Sequence, residues 1–104
     1  MNTNKKVATV RVDFYLADDL TAVSYEKIQK RVQRYINGTE VETTASFFTS
    51  RQDVSVIIIY DITNLNVRNA YDYLGKRLKV LIDGHKEAAT YGWDTTTITQ
   101  KVVA

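Results

Sequence analysis

The segment VSVIIIYDI, residues 54–62, decides the fold more than any other stretch of the chain. β-Branched and aromatic residues fill most of its positions, as is typical of a strand. Its even-numbered positions are all apolar, and Ile57 and Ile59 make the middle apolar on the other parity as well. A strand that is apolar on both faces belongs inside a sheet. We therefore predict that residues 54–62 form a central strand.

Three further segments predict strands around this one. Residues 7–16 alternate between apolar and polar side chains, which indicates a half-buried strand. Residues 41–50 are rich in threonine and phenylalanine, and the polar turn Arg51-Gln52-Asp53 joins them to the central strand. Residues 94–103, dominated by threonine, predict the last strand.

Two segments have the 3.6-residue periodicity of amphipathic helices. The first has Ser24 as its predicted N-cap and Gly38 as its predicted end. The second has Asn66 as its predicted N-cap and Gly84 as its end. The apolar stripes are Tyr25, Ile28, Val32, Tyr35 and Ile36 in the first helix, and Val67, Ala70, Tyr71, Leu74, Leu78, Leu81 and Ile82 in the second.

The order strand–helix–strand–strand–helix–strand predicts an α+β domain of the ferredoxin-like βαββαβ type. Right-handed crossovers place the first and third strands in the middle of a four-stranded antiparallel sheet, with both helices on one face. Residues 7–104 are predicted to form this single domain, and residues 1–6 a flexible polar lead. A chain of 104 residues suits one domain of this size.

Composition narrows the functional classes. Hydrophobic residues make up 44% and charged residues 25%, which is ordinary for a globular protein. The absence of cysteine excludes disulfides, zinc–thiolate sites and thiol nucleophiles, and it suits a reducing compartment. No apolar run at the N-terminus resembles a signal peptide or a membrane span. The sequence thus predicts a cytoplasmic protein that does not bind membranes.

No catalytic constellation is found in the sequence. Its four glycines are isolated, and neither a serine-nucleophile motif nor a phosphate-binding loop is present. The single histidine, His85, follows the second helix and is predicted to be an exposed loop residue. Asp13, Asp18 and Asp19 could bind a hard cation loosely, but a polar turn accounts for them better. We predict no enzymatic activity, no cofactor and no metal site.

Four cations of the first helix form a pattern that we call the basic stripe: Lys27, Lys30, Arg31 and Arg34. Their offsets of 0, 3, 4 and 7 place them on one side of the helix, opposite the apolar residues. Such a surface could lie along a nucleic-acid backbone, although a solvated helix face is the simpler interpretation. The cations of the second helix are interleaved with Asp72 and Asp83 and are interpreted as dispersed.

The sheet face away from the helices is the second candidate surface, with Arg11, Tyr15, Ile57 and Ile59 as its site residues. Covering Ile57 and Ile59 favours a homodimer in which two such faces pack together. Tyr15, together with Phe48, could instead stack on bases, as in domains that bind single strands on a sheet. The homodimer is the favoured interpretation.

Two functional hypotheses follow. The first is a small, dimeric, non-enzymatic nucleic-acid-binding accessory protein that contacts phosphates through the basic stripe. The alternative is an inhibitor or adaptor that binds a host protein, such as a phage or mobile-element protein that blocks a host machine. A metal-dependent nuclease ranks third. The sequence leaves open the identity of the partner and the choice between DNA and RNA.

Overall fold

The structure is a computed structural model that describes residues 2–83, 88–93 and 98–103, with side chains for residues 6–66 and 68–83. Its elements along the chain are β1 (Asn2–Tyr15), α1 (Ala22–Asn37), β2 (Thr43–Thr49), β3 (Asp53–Asp61), α2 (Val67–Ile82), β4 (Ala88–Trp93) and β5 (Ile98–Val103). The protein is a mixed α+β domain with two helices and an antiparallel sheet.

The strands follow the order β2-β3-β1-β4, and β5 pairs with β1 as well. β3 therefore lies between β2 and β1, which confirms its predicted place inside the sheet. Continuous registers fix both of its neighbours, as Ile58 lies opposite Val10 on one side and Ala45 on the other. These three strands carry the candidate surface on the sheet face away from the helices.

One hydrophobic cluster joins the sheet to both helices. The even-numbered residues of β1 and β3, from Ala8 to Phe14 and from Val54 to Tyr60, are fully buried. They pack with Ile28 and Val32 of α1 and with the buried leucines of α2 in a single core. Both helices consequently cover the same face of the sheet, and the odd-numbered residues of β1 and β3 line the other face.

The end of the sheet differs from its predicted form. The segment predicted as one strand over residues 94–103 corresponds to β5 alone, and β4 precedes it. Trp93 pairs with Val10, whereas Ile98 pairs with Val7. The chain thus advances five residues where β1 advances three, so β4 and β5 do not share one continuous register with β1. Residues 94–97, including the predicted start Asp94, lie outside the described residues.

The beginning of the chain also differs. Residues 1–6 are predicted to be a flexible lead, whereas β1 begins at Asn2. Residues 2–7 pair with residues 103–98 of β5, so the partner strand provides the backbone hydrogen bonds that a polar lead lacks. Sequence pattern misses this because the alternation of apolar residues starts only at Ala8. Gly84, the predicted end of the second helix, is not among the described residues.

The N-cap of α1 is Thr21, one turn before the predicted Ser24. Thr21 Oγ1 accepts a hydrogen bond from the Ser24 amide at 3.1 Å, and Ser24 Oγ accepts one from the Thr21 amide at 2.9 Å. Ser24 therefore completes a capping box instead of opening the helix. The other two helix signals are confirmed: Asn66 caps α2 by accepting from the Arg68 amide, and Gly38 directly follows α1.

Candidate nucleic-acid interface

The four residues of the basic stripe have different surroundings in the structure. Lys27, Lys30 and Arg34 are exposed on the outer side of α1. Lys30 Nζ lies 3.0 Å from Glu26 Oε1, and both side chains are more than half exposed. An exposed pair of this kind contributes little to stability and opens easily, so Lys30 is accessible to an anionic partner.

Arg31 is the exception, because its guanidinium binds the end of α2. Its Nε donates to the Leu81 carbonyl at 3.2 Å and its Nη2 donates to the Asp83 carbonyl at 2.9 Å. The last carbonyls of a helix have no partner within the helix and carry the negative end of its dipole. Arg31 satisfies two of them. That Arg31 binds phosphate stays a prediction, and such binding would compete with these two hydrogen bonds.

Arg77 makes the reciprocal contact from α2 to α1. Its Nη2 donates to the carbonyl of Gly38, the C-cap of α1, at 2.7 Å. The two cross-contacts show that the last turns of the helices run antiparallel, since Arg31 meets residues 81–83 and Arg77 meets residue 38. Each helix thus supplies the arginine that caps the other, and this arrangement fixes the two helices as one layer.

A buried tyrosine pair lies beneath this layer. The hydroxyl oxygens of Tyr35 and Tyr60 are 2.7 Å apart, and burial raises the pKa of both. The nearby positive charge of Arg77 opposes that rise in pKa. The Nε of Arg77 is buried and has no hydrogen-bond partner in the described part of the chain. Both hydroxyls remain protonated at neutral pH, so the pair is a structural contact between α1 and β3.

Charge is segregated between the helices and the rest of the chain. The helices hold eight cations and only two carboxylates, a net charge of +6. The remaining residues hold the other six cations and ten carboxylates, a net charge of −4. The overall charge of +2 therefore does not show that the two helices are strongly basic. Six cations of these helices are exposed, and we call them the basic helix layer: Lys27, Lys30, Arg34, Arg68, Lys76 and Lys79.

The contribution of α2 to this surface is larger than sequence analysis predicts. Arg68, Lys76 and Lys79 fall within an arc of about 80° at 100° per residue, away from the buried Leu74 and Leu78. Asp72 lies in the same arc, which is why the sequence order suggests dispersed charges. The net charge of each predicted helix, which can be calculated from the sequence, would have revealed the contribution of α2.

The open face of the sheet has a different character. Arg11 and Tyr15 are exposed on it, Tyr15 with 44% of its surface accessible, while Ile57 and Ile59 are half-buried among their neighbours. The case for a face-to-face dimer rests on covering these isoleucines, so their half-burial gives it less weight. Phe48 of β2, with 60% of its surface accessible, is larger and more exposed than either isoleucine of this face.

The polar residues of this face neutralise one another or add negative charge. Arg11 Nε lies 2.9 Å from Asp13 Oδ1, which also accepts from Ser55 Oγ at 2.6 Å. Partial burial would raise the pKa of Asp13, but the hydrogen bonds from Ser55 and Arg11 outweigh it and lower that pKa. Asp53 and Asp61, at the two ends of β3, share the face. Among the described side chains, the face is acidic and unsuited to phosphate.

A cleft of about 520 Å³ lies where β3 leads into α2. Carboxylates of Glu40, Glu42 and Asp61 line it together with Leu65 and Tyr73. Three carboxylates at its wall oppose the entry of an anion. No group of three histidine, cysteine, aspartate or glutamate side chains is placed to hold a metal ion within the part of the chain that the structure describes.

Comparison with known proteins adds little to this picture. No protein-family model and no curated protein matches the chain. A solved structure of a de novo designed protein, Foldit4, is similar over 88% of this chain and 98% of its own, at 14% sequence identity and a TM-score of 0.45. No helix among the described residues is long and apolar enough to cross a bilayer.

Proposed function

We propose that this protein is a non-enzymatic nucleic-acid-binding accessory protein that contacts the phosphate backbone through its basic helix layer. The observation that carries the proposal is the segregation of charge, with +6 on the helices and −4 elsewhere. A surface with six exposed cations attracts a polyanion, and each phosphate that it neutralises releases counterions. No base-reading element accompanies this surface in the described residues, so the expected binding depends on backbone contacts more than on sequence.

The reciprocal arginine contacts support the same proposal. Because Arg31 and Arg77 hold the last turns of the helices side by side, the two helices that carry the exposed cations form one layer. A rigid set of cations loses less entropy on binding than the same charges on a mobile segment. The phosphate contacts are accordingly assigned to Lys27, Lys30 and Arg34 of the basic stripe and to Arg68, Lys76 and Lys79 of α2.

Binding to labelled single-stranded and double-stranded DNA and RNA at low salt tests the proposal. The test variant is Lys27→Gln with Arg34→Gln, which removes two charges from the basic helix layer. The control is Lys6→Gln with Arg51→Gln, which removes two exposed charges outside it. We expect the test variant to weaken binding at least tenfold and the control to weaken it no more than threefold. Equal losses in the two variants, or no binding by the unmodified protein, would contradict the proposal.

A second candidate, an inhibitor or adaptor that binds another protein, is favoured by the open sheet face. The exposed aromatic rings of Tyr15 and Phe48 lie at the same end of this face, where Tyr15 pairs with Asp53 and Phe48 with Ser55. Aromatic residues are enriched at protein interfaces, and the carboxylates of this face would repel phosphate. Affinity capture from the native host, with and without nuclease treatment, separates the candidates. A partner that survives nuclease and is lost in Phe48→Ser supports this second function.

We further propose that the domain is ferredoxin-like in the finer sense, with β4 and β5 together replacing its fourth strand. The order β2-β3-β1-β4 and the placement of both helices on one face support this assignment. An experimental structure tests it: β4 and β5 must follow the same edge of β1. If they lie on opposite edges, the assignment fails.

A further inference from the structure

The outer edge of β2 presents unpaired backbone groups. The Asp61 amide donates to the Glu42 carbonyl and the Ser50 amide donates to the Asp53 carbonyl, so even-numbered residues of this strand direct their backbone groups toward β3. The odd-numbered residues direct theirs outward. Thr43, Ala45, Phe47 and Thr49 are those residues, and no strand pairs with this edge among the residues that the structure describes.

The usual protections of an edge strand are missing here. Natural edge strands avoid further pairing by means of charged side chains, proline or a bulge. Residues 43–50 contain no charged residue and no proline. The seven residues of β2 pair with β3 in one continuous register without a bulge. This edge is therefore a straight, uncharged template for another strand.

The side of α1 above this edge carries two glutamines. Arg31 marks the side of α1 that faces α2, and Tyr25 packs edge-to-face on Phe47 of β2 with ring centroids 6.1 Å apart. At 100° per residue, Gln29 and Gln33 lie about 160° from Arg31, on the flank above the free edge. Gln29 Nε2 donates to Tyr25 Oη, and the exposed cations of α1 point elsewhere. Glu26, which pairs with Lys30, lies about 20° beyond Gln33, so this flank carries one carboxylate and no exposed cation.

We propose that β2 is a homodimer interface, at which two copies pair their β2 strands antiparallel around a two-fold axis at Ser46. This register places Ala45 opposite Phe47 and Thr43 opposite Thr49, and it pairs all the outward backbone groups of both strands. On the open face, it sets Thr44 of each copy against Phe48 of the other, which covers part of the exposed ring. Both phenylalanines thus meet small residues of the other copy, and no like charges face each other.

The register matches the hydrogen-bonding parity of the strand. In an antiparallel pair, residues that exchange hydrogen bonds alternate with residues that do not. A centre at Ser46 makes the odd-numbered residues the exchanging pairs, as the outward direction of their backbone groups requires. The two sheets then form one continuous sheet with the helices of both copies on the same side. The dimer would double the length of the basic helix layer, but its existence does not depend on nucleic-acid binding.

A single-cysteine variant tests this register directly, since the chain has no cysteine of its own. Residues opposite each other at a non-hydrogen-bonded position have Cα atoms about 4.5 Å apart, within the range that a disulfide spans. Ser46→Cys is therefore expected to form a covalent dimer under mild oxidation in more than half of the chains. Thr44→Cys is the matched control, because in this register its partner is Phe48 and the two cysteines are about 13 Å apart.

Sedimentation velocity from 1 to 200 µM completes the test. We expect a monomer–dimer equilibrium for the unmodified protein. Ser46→Lys and Ser46→Glu should each weaken the dimer more than tenfold. An equimolar mixture of the two variants should restore dimerisation. A protein that is monomeric throughout, equal cross-linking by the two cysteine variants, or no rescue in the mixture would overturn the proposal. None of these outcomes bears on the affinity for nucleic acid.

Discussion

Arg31 differs from the other cations of the basic stripe because it has a structural partner. Replacing it by glutamine leaves the carbonyls of Leu81 and Asp83 without their charged donor. We expect Arg31→Gln to lower the free energy of unfolding by about 1.5–3 kcal/mol, the usual range for a hydrogen bond to a charged group. Lys27→Gln, which changes the same net charge, should alter it by less than about 0.5 kcal/mol. Urea denaturation of both variants measures the difference, and equal effects would contradict the capping role.

Asp13 gives the open sheet face a pH dependence of stability. Hydrogen bonds from Ser55 and Arg11 lower its pKa in the folded protein below that of the unfolded chain. Its stabilisation is therefore complete above the unfolded pKa of about 3.9 and is lost as the pH falls through the folded value. We expect Asp13→Asn to flatten the loss of stability below about pH 4. Thermal unfolding from pH 2.5 to 7 tests this, and an unchanged acid limb would refute it.

The first turn of α1 depends on two hydroxyl residues acting together. Thr21 and Ser24 each accept a backbone hydrogen bond from the other. Thr21→Ala should cost about 1 kcal/mol of unfolding free energy, since an N-cap hydroxyl satisfies an otherwise unpaired amide. Ser24→Ala should cost less, and the double variant should cost less than the sum because the two hydroxyls also contact each other. Strict additivity in urea denaturation would argue against a capping box.

The elements differ in how far the sequence predicts them. β3 and the buried stripe of α1 follow from local periodicity, because every second residue of the strand and every third or fourth of the helix is apolar. The break between β4 and β5 depends on register with β1, a long-range property that a threonine-rich pattern does not encode. The capping contact of Arg77 with Gly38 joins residues 39 positions apart, and no local pattern reveals it.

The candidate site follows the same division. The positions of Lys27, Lys30 and Arg34 on one exposed side of α1 follow from helical spacing alone. The contact of Arg31 with the end of α2 does not follow from that spacing. Helical spacing fixes the side of α1 on which Arg31 lies, but it does not identify the group that its guanidinium binds. The half-burial of Ile57 and Ile59 also depends on neighbours from β1 and β2, so the sequence overstates their exposure.

At the scale of the whole molecule, the two layers have opposite charge. The helices carry the excess of cations, and among the described side chains the open sheet face carries more carboxylates than cations. This arrangement orients an approaching polyanion toward the helices before any contact forms. Pairing through β2 would keep both basic helix layers on one side of the dimer. The two proposals are therefore compatible, although each stands on separate observations.

The salt dependence of binding tests the basic helix layer most directly. Fluorescence anisotropy of a labelled DNA duplex, measured from 25 to 200 mM salt, gives the slope of log Kd against log salt. If the layer holds the phosphates, neutralising Lys27 and Arg34 should reduce that slope by about 0.9 for each cation removed. Neutralising Lys6 and Arg51 should leave it unchanged. An equal slope in all three proteins would contradict the assignment of this surface.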